Sequence, residues 1–151
     1  TKPVKAANPL QQLITVTLQE LHQEIGLQRA MFAMLNTERT ELLARLVTEE
    51  PSERSLRGFK VDLTSPSLFN ALLKKPQAIS LTPANAEKYL HLIPGPLHST
   101  INPRQCLIMS VFLRNRPIGL FYADNWPNQA ISAQQFANFK VICQRAVLAL
   151  S

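Results

Sequence analysis

The chain has little of the residues from which dedicated chemistry is usually built. Its 151 residues hold two cysteines, four glycines, three histidines and one tryptophan. Cys106 and Cys143 are too few and too far apart for a disulfide framework, which points to reduced thiols in a cytosolic domain. The glycines form no GxGxxG and no Walker-type loop. Gly26 closes a helical pattern, while Gly58, Gly95 and Gly119 stand alone, so no phosphate cradle is expected. Cys106 and His98 are the nucleophile and base closest in sequence, but no nucleophile elbow surrounds them. No catalytic residue is assigned, and an enzyme is not expected. His91, His98 and Cys106 lie seven and eight residues apart, which fits none of the common zinc spacings, so no metal is assigned either. No apolar run reaches bilayer length and no secretory signal opens the chain, so no membrane partner is expected.

What is present is a core. An apolar share of 46% in 151 residues suits one self-sufficient domain. The net charge of +6 is uneven. From Lys88 onward the bases Lys88, Arg104, Arg114, Arg116, Lys140 and Arg145 face one acid, Asp124. They are scattered singly, with no basic run carrying interleaved aromatics, so they read as a solvated surface and nucleic acid is not an expected partner.

Residues 1–7 show no periodicity and read as a linker ahead of a domain over 8–151. Asn8 and Pro9 supply a helix start, and Leu10, Leu13, Ile14, Leu18, Leu21 and Ile25 share one helical face up to Gly26. Arg29 to Leu35 and Glu41 to Val47 read as a hairpin. Phe59 to Leu63 alternates as a short strand. A helix is expected from Ser67 to before Pro76, a strand over Ala78 to Leu81, and a helix from Thr82-Pro83 to about Leu90. His91 to Pro103 reads as loop. Ile108 to Leu113 and Ile118 to Asp124 form a second hairpin about Arg114-Asn115, where Asn115 tolerates a positive φ. Ser132 and Gln135 form a capping box for the last helix, with Ile131 placed to staple onto Phe136. Asp124 is expected to accept backbone N–H groups of the following loop, and Trp126 to cover the end of the core.

Hairpins make antiparallel pairs, so the fold class is α+β with a central antiparallel sheet. Both strands of the first hairpin carry apolar residues on both faces. The terminal helices therefore cover one face, and residues 59–98 must cover the other. A pocket between the sheet and that middle segment would be lined by Phe59, Phe69, Tyr89, His98, Phe112 and Tyr122, with Arg104 or Arg57 at its mouth to pair an anionic ligand. Simple core packing is the competing role for each ring. On the last helix Ala137, Val141 and Leu148 lie opposite the main apolar stripe and form a candidate homodimer seam.

The run Arg116-Pro117-Ile118-Gly119-Leu120-Phe121-Tyr122-Ala123-Asp124 resembles the penultimate hairpin of GAF domains. Its Tyr-Ala-Asp ending is similar to the GAF-like domain that accompanies the HDOD domain in bacterial signalling proteins. Leu21-His22, Gly26-Leu27, Arg29 and Phe32 resemble that group's entry into the first strand. The resemblance implies a sensory or regulatory module that binds a small-molecule effector or docks a partner. It also implies an attached signalling domain and pairing through the terminal helices. A start without methionine and an end within helical sequence agree with a piece of a longer protein. The cyclic-nucleotide motif Asn-Lys-X-Asn-Phe-X-X-X-Asp-Glu is absent, neither cysteine sits in a bilin-attachment context, and no cofactor is named. A PAS-like sensor, distinguished by strand order, is the nearest alternative fold. A ligand-free interaction and dimerisation module is the alternative function.

Overall fold

The computed structural model describes residues 9–127 and 130–151. The linker expected over 1–7, the Asn8 cap and Asn128 lie outside the described residues. The order is α1 (Pro9–Gln23), β1 (Arg29–Leu35), β2 (Glu41–Thr48), β3 (Lys60–Asp62), α2 (Leu68–Leu72), β4 (Ala78–Leu81), α3 (Ala86–Tyr89), β5 (Cys106–Leu113), β6 (Arg116–Asp124) and α4 (Ala133–Leu150). The strands make one antiparallel sheet in the order β3-β2-β1-β6-β5-β4. The short strands β3 and β4 are its edges, so the chain between them must travel from one edge to the other.

Local chemistry sets most of these bounds. Arg114 and Asn115 both take positive φ, 53° and 66°, the geometry of a two-residue hairpin turn whose twist matches the strands. Gly26, at φ 82°, turns the chain out of α1. At α4 the Ser132 hydroxyl accepts from the Gln135 N–H and the Gln135 side chain accepts from the Ser132 N–H. Gly119 carries a different requirement. A Cβ there would stand 2.0 Å from the Ala33 carbonyl oxygen, so only glycine lets β6 lie against β1 at this point.

Two expectations on the middle segment need correction. The helix expected from Thr82-Pro83 begins later, because the Asn85 side chain accepts from the Thr82 N–H and donates to Ser80 O, closing a turn before Ala86. The helix expected from Ser67 is capped by Ser67 and stops at Leu72, before Pro76. Residues 91–103 are not plain loop. Leu90–Leu92 and Gly95–Ser99 form 3₁₀ turns, the second with Pro96 early in it, where proline's fixed φ is favourable and its missing N–H costs nothing.

The sheet is buried on both faces. Ala30, Phe32, Leu107, Met109, Val111, Phe121 and Ala123 meet Ile14, Leu18 and Leu21 of α1 and Phe139, Cys143 and Ala146 of α4. Met31, Ala33, Leu42, Ile108, Leu120 and Tyr122 point the other way, onto Leu56, Phe59, Phe69, Leu72, Ile93, Leu97 and Ile101. The alternation along each strand is the period-two pleat. The second cover, drawn from residues 56–101, is the shield that the two-sided apolar hairpin demanded. Ile131 and Phe136 both pack against the terminal-helix core, as the staple required.

Candidate functional site

The aromatic side chains expected to line a pocket divide into different environments. Phe59 and Phe69 meet edge to face, with centroids 5.6 Å apart and planes at 76°. Both are core residues, as is Tyr122. Tyr89 is half-buried against the same core. Phe112 follows the β-bulge between Val111 and Phe112, is half-buried and belongs to neither core cluster. Phe59, Phe69 and Tyr122, with Tyr89 at the margin, fill the space between the sheet and the middle segment.

At the end of the sheet where β1 begins and β6 ends, a buried polar network joins the two layers. Arg29, 3% exposed, and Asp124, 0% exposed, form a bidentate pair with Nε to Oδ1 at 2.9 Å and Nη2 to Oδ2 at 2.5 Å. The remaining Arg29 Nη1 donates to Arg54 O at 2.5 Å and Thr100 O at 3.2 Å, so one guanidinium ties both middle-segment loops to the sheet. Asp124 also accepts from the Trp126 N–H at 3.0 Å, the loop role expected of it, and from the Tyr122 hydroxyl. The Asn102 N–H donates to that hydroxyl at 2.7 Å. Burial alone would lower the Arg29 pKa, but the hydrogen bonds and charge of Asp124 together outweigh it and hold the guanidinium more firmly charged. Burial, reinforced by the Asp124 charge, pushes the Tyr122 hydroxyl and the Cys106 thiol well above their ordinary values. Burial does the same to Cys143. These groups are therefore neutral at physiological pH, and neither thiol is an available nucleophile.

Among the described residues, two clefts flank the 94–104 stretch of the middle segment. One, of about 450 Å³, lies between the β3 flank and the 94–100 turn, bounded by Gly58, Lys60, Val61, Pro66, Pro94, Leu97 and Thr100. The other, of about 410 Å³, lies beside the buried network and is bounded by Arg54, Leu90, His98, Asn102, Pro103, Arg104 and Trp126. His98 and Arg104, both expected at a pocket, meet in this second cleft. His98 Nε2 donates to Ile93 O at 2.9 Å, and Arg104 pairs with Glu87 at 3.1 Å on the surface. Arg57 is exposed and lines neither cleft.

Sequence reasoning missed Arg29 as a charge partner and Arg54 altogether. The Arg54 guanidinium stacks 4.2 Å from the Trp126 ring centroid. Its Nη2 donates to His98 O at 2.8 Å and also to Ile101 O. The polar, acidic stretch 48–57 reads as an exposed loop from sequence, and Leu56, fully buried in the structure, is the one apolar residue just after Arg54 that could have signalled its return to the core. Among the described residues, no group of three or more His, Cys, Asp or Glu is placed to hold a metal. No described helix is long and apolar enough to cross a membrane. On α4, Ala137 is exposed, and Val141 and Leu148 are 61% and 74% exposed, an apolar strip turned away from both cores.

A sequence model of the GAF domain matches residues 9–150. The chain belongs to the GAF family. Solved structures agree on the fold. A GAF domain/HD domain protein from Geobacter sulfurreducens superposes with a TM-score of 0.70 at 18% identity, over 93% of this chain and 90% of that one. A methyl-accepting chemotaxis protein segment, residues 122 to 287, gives a TM-score of 0.74 at 16% identity, over 95% and 90%. A phycoerythrobilin-bound GAF domain from a cyanobacterial phytochrome gives 0.70 at 14% identity, over 95% and 86%. A comparison with curated protein sequences finds no match. The strand order and the family match together decide for GAF over a PAS-like sensor.

Proposed function

We propose that this GAF domain is a non-catalytic regulatory module of a bacterial signal-transduction protein in the cytoplasm, joined to a signalling domain and sensing a small molecule through its middle segment. GAF domains are regulatory sensory domains, and their use in multidomain signalling proteins agrees with the neighbours above. The observation that carries the sensing reading is the cleft of about 450 Å³ between β3 and the 94–100 turn. It lies within the segment that covers one sheet face, and its size is within the ordinary range of small-molecule sites. A ligand there would favour one placement of the segment and bias the terminal helices through the shared sheet. A thioether-linked tetrapyrrole does not fit, because both thiols are buried and held protonated. Differential scanning fluorimetry against a metabolite library tests the reading. Saturable stabilisation that is lost in Pro66→Asp, a change at an exposed residue of the cleft wall, supports it, and a flat response across the library removes it.

A second reading, a homodimerising interaction module without a ligand, is favoured by the filled interior and by exposed Val141 and Leu148. Sedimentation at high micromolar concentration separates the two. A dimer that a Val141→Lys, Leu148→Lys variant converts to monomer supports the seam, and a monomer throughout rules it out.

A further inference from the structure

The second cleft has the chemistry of an anion site. Three cationic or ionisable side chains converge on about 410 Å³ beside an indole, with Leu90 and Pro103 as apolar wall. Arg54 brings more than charge. Its Nη2 is held by two backbone carbonyls and its Cζ lies 4.2 Å from the Trp126 ring centroid, so its position is set before any ligand arrives. Among the described residues, its Nε is a buried side-chain donor without a hydrogen-bond partner. A buried donor left unmade is unfavourable, so Arg54 gains from an acceptor that reaches it. Arg104 supplies the second guanidinium. Its present partner Glu87 is 79% exposed and Arg104 itself 60%, so that pairing is weak and readily exchanged for a better-placed anion. His98 has Nε2 committed to Ile93 O, which leaves Nδ1 as its remaining polar atom.

We infer that the Arg54–His98–Arg104–Trp126 cleft binds a small organic anion, a carboxylate or phosphate ester on a flat ring. The anion is recognised by the charge of Arg54 and by the planar fork of Arg104 once it leaves Glu87, and the ring by Trp126 and the apolar wall. The site lies at the Arg29–Asp124 end of the sheet and does not depend on the cleft beside Val61. Occupancy tightens the contacts that Arg54 makes to the 98–101 turn, so the anion strengthens the same junction that Arg29 ties through Arg54 O and Thr100 O.

Trp126 is the sole tryptophan, so its fluorescence reports the site directly. The 151-residue chain is titrated with benzoate, phenyl phosphate, inorganic phosphate and, as the neutral control, benzamide. Benzoate or phenyl phosphate is expected to give a saturable change that weakens as salt rises, and which of the two binds more tightly identifies the oxyanion. Arg104→Ala is expected to weaken that binding about tenfold or more, and Glu87→Gln, which removes the competing carboxylate, to tighten it. Both are surface changes that leave the fold intact. Equal binding of benzamide, an unchanged affinity in Arg104→Ala, or no saturable change with any probe up to about 10 mM overturns the inference. A library ligand lost on Pro66→Asp but silent at Trp126 leaves the sensing reading standing while these probes still decide this site.

Discussion

The two faces of this sheet are closed by different means. On one, α1 and α4 run 15 and 18 residues and cover the strands by continuous apolar stripes. On the other, helices of five and four residues and a few 3₁₀ turns do the same work, anchored by a buried ion pair as well as by side-chain packing. Long helices carry most of their own hydrogen bonds, so their seal depends on packing alone. Short turns leave backbone groups for other elements to satisfy, and Arg29, Arg54 and Tyr122 supply those partners. The two covers therefore differ in how readily they open. A cover of short segments held by a few polar contacts opens locally at lower cost than one built from long helices.

Breaking the ion pair has the largest expected effect. Arg29→Met leaves Asp124 charged and buried, and about 3–5 kcal/mol of stability is expected to be lost in denaturant unfolding. Hydrogen exchange should show amides at 54–58 and 97–102 losing more protection than those of α1 and α4. A uniform loss over both faces would contradict the division drawn here. Gly119→Ala is the complementary test, because its Cβ would collide with the Ala33 carbonyl in the strand pair that both covers share. A cost of about 1–3 kcal/mol is expected, with both faces weakened together. A neutral result would show that β1 and β6 part without consequence.

The smallest effect is the one that titrates. The Tyr122 pKa is raised in the folded protein, so its contribution is complete below the ordinary phenol value of 10.0 and is lost as pH climbs above it. Cys106 and Cys143, also raised, add a loss that begins above their ordinary value of 9.0. Tyr122→Phe forgoes the hydrogen bonds to Asp124 and from Asn102, costing about 1–2 kcal/mol at neutral pH. It also removes the phenol's share of the alkaline decline. Thermal melts from pH 8 to 11 should show a shallower slope in the variant, and parallel slopes would mean that Tyr122 is not held neutral by the fold.

Much of the scaffold was legible because it rests on short-range rules. The strands Arg29–Leu35 and Ala78–Leu81 carry the bounds that pattern alone assigned. The Arg114-Asn115 turn and the Ser132–Gln135 box are each complete within four residues of chain. The middle segment was less legible for the same reason. At Thr82-Pro83 a start signal lost to the side chain of Asn85, and between His91 and Pro103 proline read as a breaker where it opened a 3₁₀ turn. The aromatic residues Phe59, Phe69 and Tyr122 could be ranked as bulky and apolar, but their packing into a filled core depends on volumes that sequence does not state.

Periodicity, turn chemistry and capping act over a few residues, and from them the chain by itself determined two antiparallel hairpins, two amphipathic end helices and the need for a second cover. Which charges meet was decided only by the folded chain. Arg29 and Asp124 are 95 residues apart, and Arg54 reaches the 98–101 turn and Trp126 from a distant loop. Electrostatic pairing and hydrogen-bond satisfaction depend on distance and burial in three dimensions, so they come into being only once the sheet has brought its ends together.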